Sequence, residues 1–163
     1  MPVLEHPDED RNTAVFILNA IRSARAAIFG MTLFTVINLA VLLFQGDSVL
    51  PFALSVPFCL TWAAQVLEHG AFGLLTWGAL GISLVILSLF FLCGLLSRKH
   101  LSWLTAALIL AVADLVLYVG FLLWLTHSLS MNIVEILIKG MLLVILARGV
   151  TNARRLRQLS ENN

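Results

Sequence analysis

The chain reads as long apolar runs separated by short polar breaks. Residues 24–44, 71–96 and 101–125 are each long and apolar enough to cross a bilayer. About 20 such residues in a helix are enough to cross the hydrocarbon core of a bilayer. A fourth run, about 131–150, is also long enough but carries Glu135 and Lys139 one helical turn apart. Ahead of the first run, residues 14–25 contain no helix breaker and residues 8–13 offer several N-cap candidates, so a helical lead-in is expected to continue into the first span. That span is expected to end at Gln45-Gly46-Asp47-Ser48, a turn-like cluster.

Residues 49–67 form the ambiguous segment. They are apolar but hold Pro51, Pro57, Gln65 and two hydroxyl side chains. The charge pattern decides whether they cross. If they do not, Arg11, Arg22, Arg25, Arg98, Lys99, Arg148, Arg154, Arg155 and Arg157 all fall on one side. The other side then has only Asp47, Glu68, His69 and His127. If they do cross, Arg98 and Lys99 land opposite Arg22 and Arg25 in a short loop, where the positive-inside rule is strongest. The expected fold is therefore all-α: one domain, residues 1–163, of four transmembrane helices with both termini cytoplasmic. Residues 49–67 become an extra outer-face segment, amphipathic or re-entrant, broken by its prolines. Trp62, Trp103 and Trp124 occupy interfacial belt positions in this arrangement.

Composition sharpens the class. The chain is 60% apolar and 12% charged, with a mean hydropathy of +0.98, against about 45–50% and about 25% in soluble domains. No basic face alternates with aromatics, which argues against nucleic acid as a partner. The acidic, polar N-terminus predicts no cleavable signal peptide, and Pro2 and the SENN end leave no lipidation motif. Cys59 and Cys93 have neither CxxC nor metal spacing. The topology puts them roughly 20 Å or more apart at ~1.5 Å per helical residue, so no disulfide is expected between them. No metal or other cofactor is expected.

Candidate chemistry lies inside the apolar runs. Counted from the expected cytoplasmic helix ends at ~1.5 Å per residue, Asn38, Ser83, Asp114 and Glu135 all lie about 20 Å up, and Lys139 about 14 Å. Each span thus offers a polar group near one level. A carboxylate at the position of Asp114 costs ~2.5–3.5 kcal/mol on insertion scales and should face protein or water. Ala107, Ala111, Asp114 and Tyr118 follow one helical stripe, with Tyr118 one turn from the acid. Glu135 and Lys139 have the i, i+4 order favourable for an ion pair, and Asn132 extends their stripe. Two carboxylates against one amine leave room for a proton or a cation. Asn38, Ser83 and Ser88 read as interhelical glue, and Gly70, Gly73, Gly78 and Gly81 as close-packing positions. Arg154, Arg155 and Arg157 read as a tail for anionic lipid headgroups.

The stretches SRKHLSW (97–103), Asp114 within its span, and EILIKG…ARGVTNARRLRQL (135–159) resemble an uncharacterised family of small four-span bacterial membrane proteins of Gram-positive type. RSARAAIF…FTVINLAVLL (22–43) and FALSVPF (52–58) fit its first half. The resemblance implies the fold and a bacterial cytoplasmic membrane, and no activity. In it an acid matches Asp114, and an acid followed four residues later by His matches Glu135 and Lys139. Lysine in place of that His suits a metal or a proton relay less readily.

Three functions compete at this level. The first is a non-catalytic accessory or assembly subunit, packing in the bilayer against itself or a larger membrane protein. The second is a small oligomeric ion-coupled transporter using the Asp/Glu/Lys layer, though no inverted repeat is evident. The third is an intramembrane enzyme, for which no nucleophile motif, metal cluster or phosphate loop exists; no catalytic residue is assigned.

Overall fold

The computed structural model describes residues 7–44, 50, 52–69, 72–126 and 133–161. They form five helices: α1 (Pro7–Leu43), α2 (Ser55–Leu67), α3 (Leu74–Leu96), α4 (Ser102–Thr126) and α5 (Ile133–Glu161). Helices α1, α3 and α4 are long and apolar enough to cross a membrane; α2 is apolar but short. The lead-in and first span are one continuous helix of 37 residues. Asp47, Gly70, His127 and Asn132 lie outside the described residues.

Among the buried positions, each long helix has a stripe of residues spaced three or four apart. In α1 they are Ile17, Ile21, Ala24, Ile28, Met31, Thr35, Asn38 and Leu42. In α5 they are Lys139, Leu142, Leu146, Val150 and Ala153, and in α4 Leu104, Ala107, Ala111, Asp114, Tyr118 and Leu122. That spacing turns one stripe of each helix toward its neighbours. The outward faces carry large apolar side chains such as Leu33, Ile82, Val116 and Leu137. Polar groups inside and apolar groups outside invert the soluble arrangement and suit a hydrocarbon surround.

α1 and α5 share the most extensive interface. They run antiparallel, with Ala24 against Gly149 at one end. A Cβ on Gly149 would stand 2.3 Å from the Ala24 Cβ, so glycine alone permits the crossing. Gly149→Ala should cost about 1–3 kcal/mol by overpacking, read as a lower melting temperature in detergent. Gly94 has a similar role in α3, where a Cβ would press on Phe29 and Ile28 of α1. Gly78 and Gly81, expected to permit close packing, instead face outward with nothing within 4 Å. Ser88 is likewise no interhelical glue: it is exposed and donates to its own helix at Leu84 O.

Both ends of α3 are capped by charged side chains from elsewhere. Arg25 of α1 donates to the Oγ and carbonyl of Ser97, the C-terminal cap of α3. At the other end the Glu68 carboxylate accepts the N–H groups of Gly73, Leu75 and Thr76 and the Thr76 hydroxyl. Free N–H groups at a helix start favour an anion there. Just beyond Glu68, His69 takes the left-handed conformation at φ 53° that commonly ends a helix.

The Thr76 hydroxyl, followed by the three N–H groups, holds the Glu68 carboxyl below its ordinary range, with burial opposing. A lowered folded-state value stabilises the fold above the unfolded value, about 4.3, and the contribution is lost as pH falls through the folded value. Thermal melts across this acid range should therefore show a wild-type decline that Glu68→Gln flattens.

Candidate functional site

The site is built around the entry to α2. After α1 the chain turns back along it: Leu50 meets Asn38 and Leu54 meets Thr35. Eight residues back from Leu43 is about 12 Å at ~1.5 Å per residue. From there α2 returns antiparallel to α3, with Thr61 beside Ser83 and Glu68 beside Thr76. The start of α2 is therefore buried beside the middle of α4, out of reach of the water that satisfies most helix ends.

Side chains from α1, α4 and α5 meet the backbone of this buried entry. Asn38 binds Leu50 with both ends of its amide, Nδ2 to the carbonyl at 3.0 Å and Oδ1 from the N–H at 2.8 Å. The Leu54 N–H donates to Thr35 Oγ1 at 2.8 Å. The Ser55 and Val56 N–H groups donate to Asp114 Oδ2 and Oδ1 at 3.0 and 2.9 Å. Pro57 has no N–H to satisfy, which is why proline is tolerated in a first helical turn. The helix expected to break at this proline runs through it. On the acceptor side, Lys139 Nζ donates to Ala53 O at 2.6 Å, and the Pro57 carbonyl accepts from Thr61 and Ser83. In a lipid surround irregular backbone persists only where protein or enclosed water satisfies it.

The ionisable groups interlock over the same turn. Lys139 Nζ lies 3.4 Å from Asp114 Oδ2 and 3.8 Å from Glu135 Oε1, and 5.3 Å from the centre of the Tyr118 ring. Glu135 Oε1 accepts the Ser55 hydroxyl at 3.1 Å, while Oε2 accepts the Tyr118 hydroxyl. Tyr118 thus reaches across to Glu135 on α5 rather than to Asp114 on its own helix. Among the described residues, no buried side-chain nitrogen or oxygen lacks a partner.

Asn38, Ser83, Asp114, Tyr118, Glu135 and Lys139 therefore gather on one object, the turn at 50–57. Three contributors were not among the candidate site residues: Thr35, which stood out in no way, and Ser55 and Thr61, visible only as the two hydroxyls of the ambiguous segment. A hydroxyl in an apolar run is common, and only the folded-back chain gives these three a partner. Arg154, Arg155 and Arg157 are exposed near the end of α5, away from this cluster. Cys59 and Cys93 are both free thiols. No group of three His, Cys, Asp or Glu residues among those described could hold a metal ion.

Beside the cluster a cleft of about 230 Å³ opens between α2, α4 and α5. Its lining includes the polar side chains of Asn38, Ser55, Tyr118 and Glu135 and the aromatic side chains of Phe58, Trp62 and Phe121.

Fold and site together define a helical membrane protein with three helices able to span a bilayer and an internal ionisable cluster that caps a buried helix start. Compared with protein-family models, curated proteins and solved structures, the chain matches none.

Proposed function

We propose that the protein is a four-span bacterial plasma-membrane protein of the Gram-positive type it resembles, non-catalytic, acting as an accessory or assembly subunit. The observation that carries this reading is the use made of the polar cluster. Asp114, Lys139 and Asn38 are engaged with the backbone of the 50–57 turn, so their partners are the fold itself rather than a substrate. Residues held this way build a rigid scaffold.

Four crossings and cytoplasmic termini are supported by how the helix ends cluster. Arg25 meets Ser97 beside Arg98 and Lys99, and Ala24 meets Gly149 beside Arg148. The basic segments of α1, α3, α4 and α5 thus share one end, as the positive-inside rule favours. From Gly149 to Glu135, α5 follows α1 for about 21 Å at ~1.5 Å per residue, which supports reading it as the fourth span and residues 49–67 as the re-entrant segment.

A scaffold subunit needs a face for its partner, either a second copy or a larger membrane protein. The outward side of α3, with Gly78 and Gly81 bare of neighbours, allows close helix approach. In-membrane cross-linking through Gly81→Cys, followed by mass spectrometry, should give one discrete product. Gly78→Leu/Gly81→Leu should abolish association while leaving the melting temperature unchanged. A monodisperse monomer with no cross-linked product would reject the reading. The ion-coupled transporter remains the second reading because Glu135 faces the cleft; ion flux in proteoliposomes that Glu135→Gln abolishes would favour it.

A further inference from the structure

The three ionisable groups of the cluster are not equivalent. Asp114 and Lys139 are 7% and 3% exposed and close on each other and on the α2 backbone. Glu135 is 20% exposed and stands at the margin, with Lys139 a further 0.4 Å away than it is from Asp114 (3.8 against 3.4 Å). Its remaining partners, Ser55 and Tyr118, are hydroxyls that give hydrogen bonds but no charge. Two carboxylates face one ammonium, and the acid left with the weaker compensation is the one that borders the cleft.

The walls say which cation would suit it. Phe58, Trp62 and Phe121 surround the space, with Trp62 edge-on to Phe121 at 6.3 Å between centroids. Aromatic faces attract cations through their quadrupole, and more strongly when the cation is desolvated. A hard metal ion favours several charged oxygen ligands, whereas this cleft offers a single carboxylate, its other polar side chains being the neutral Asn38, Ser55 and Tyr118. A carboxylate among aromatic rings is the chemistry of an organic ammonium group. A cleft of about 230 Å³ limits it to a small one.

We propose that the cleft between α2, α4 and α5 binds a small organic ammonium ion, with Glu135 as its counter-ion and Phe58, Trp62 and Phe121 as its cage. The site is independent of the subunit reading above, since a scaffold can carry a ligand and a scaffold without one remains a scaffold.

The test is calorimetric titration of the purified full chain in a non-ionic maltoside detergent, which carries no ammonium group to compete. The probe is benzyltrimethylammonium; benzenesulfonate, of similar size and opposite charge, is the control. Wild type should bind the cation saturably, one per chain, and ignore the anion. Glu135→Gln should weaken binding by about tenfold or more. Trp62→Leu should weaken it about three- to tenfold by removing one aromatic wall. Trp62→Leu leaves the polar cluster intact, so it decides the matter even if Glu135→Gln fails to fold. Absence of saturable wild-type binding, equal uptake of the anion, or undiminished binding by a folded Glu135→Gln or Trp62→Leu protein would overturn the proposal.

Discussion

Asp114→Ala should lower the thermal stability of the purified protein by about 3–5 kcal/mol. The carboxylate is the sole acceptor recorded for two N–H groups at the buried start of α2 and a close partner of the buried Lys139 ammonium. Removing it leaves two donors without an acceptor and Lys139 with the more distant Glu135 as its carboxylate partner, and each buried unsatisfied group costs about 1–3 kcal/mol. Asp114→Asn keeps one oxygen acceptor and should fall between wild type and Asp114→Ala. Melting in detergent, followed by helical circular dichroism, checks both. An Asp114→Asn protein as stable as wild type would show that the acid is not retained for stability, and would direct attention to an ion or ligand at this level.

Lys139→Met is the second large effect, again about 3–5 kcal/mol. It strips the Ala53 carbonyl of its donor and leaves Asp114 and Glu135 facing each other without the cation between them. The double variant Asp114→Asn/Lys139→Met should be less destabilised than the sum of the two single variants, by about 1–3 kcal/mol, because the residues share partners. A full thermodynamic cycle measures that coupling. Strict additivity would mean that the two side chains support α2 separately.

Both effects follow from one constraint. A helix that begins inside the bundle has N–H groups that water cannot reach, so other helices must bring the caps. Asp114 does this for α2, Glu68 and Arg25 for the two ends of α3. Two of these caps lie far from their helix in sequence: Ser55 and Asp114 are 59 residues apart, and Arg25 and Ser97 are 72 apart, whereas Glu68 is five residues from Gly73. A search for the usual local capping residues finds none of them; Leu54 and Gly73, at the cap positions themselves, contribute no side-chain bond.

Much was nevertheless legible beforehand. The cost of polar groups in lipid made Asp114, Glu135 and Lys139 conspicuous, and the 3–4 spacing of Ala107, Ala111, Asp114 and Tyr118 correctly marked the buried face of α4. Residues 49–67 stood out as an apolar stretch at odds with the charge pattern. The glycines were legible in part, Gly73 lying tight against Glu68. Close approach depends on which face a helix presents, so Gly149 and Gly94 serve the crossings while Gly78 and Gly81 look outward.

The sequence by itself determined the class: long helices, an apolar exterior, polar groups at one depth, and a segment that could not easily cross. These follow from length, hydropathy and charge, which are local sums along the chain. Only the tertiary structure decided that the odd segment and the polar groups are partners. That pairing depends on the chain folding back beside α1, so that Leu54 reaches Thr35 and Ser55 reaches Asp114. Hydrogen bonds are short and directional, and no one-dimensional pattern specifies which distant donor meets which acceptor.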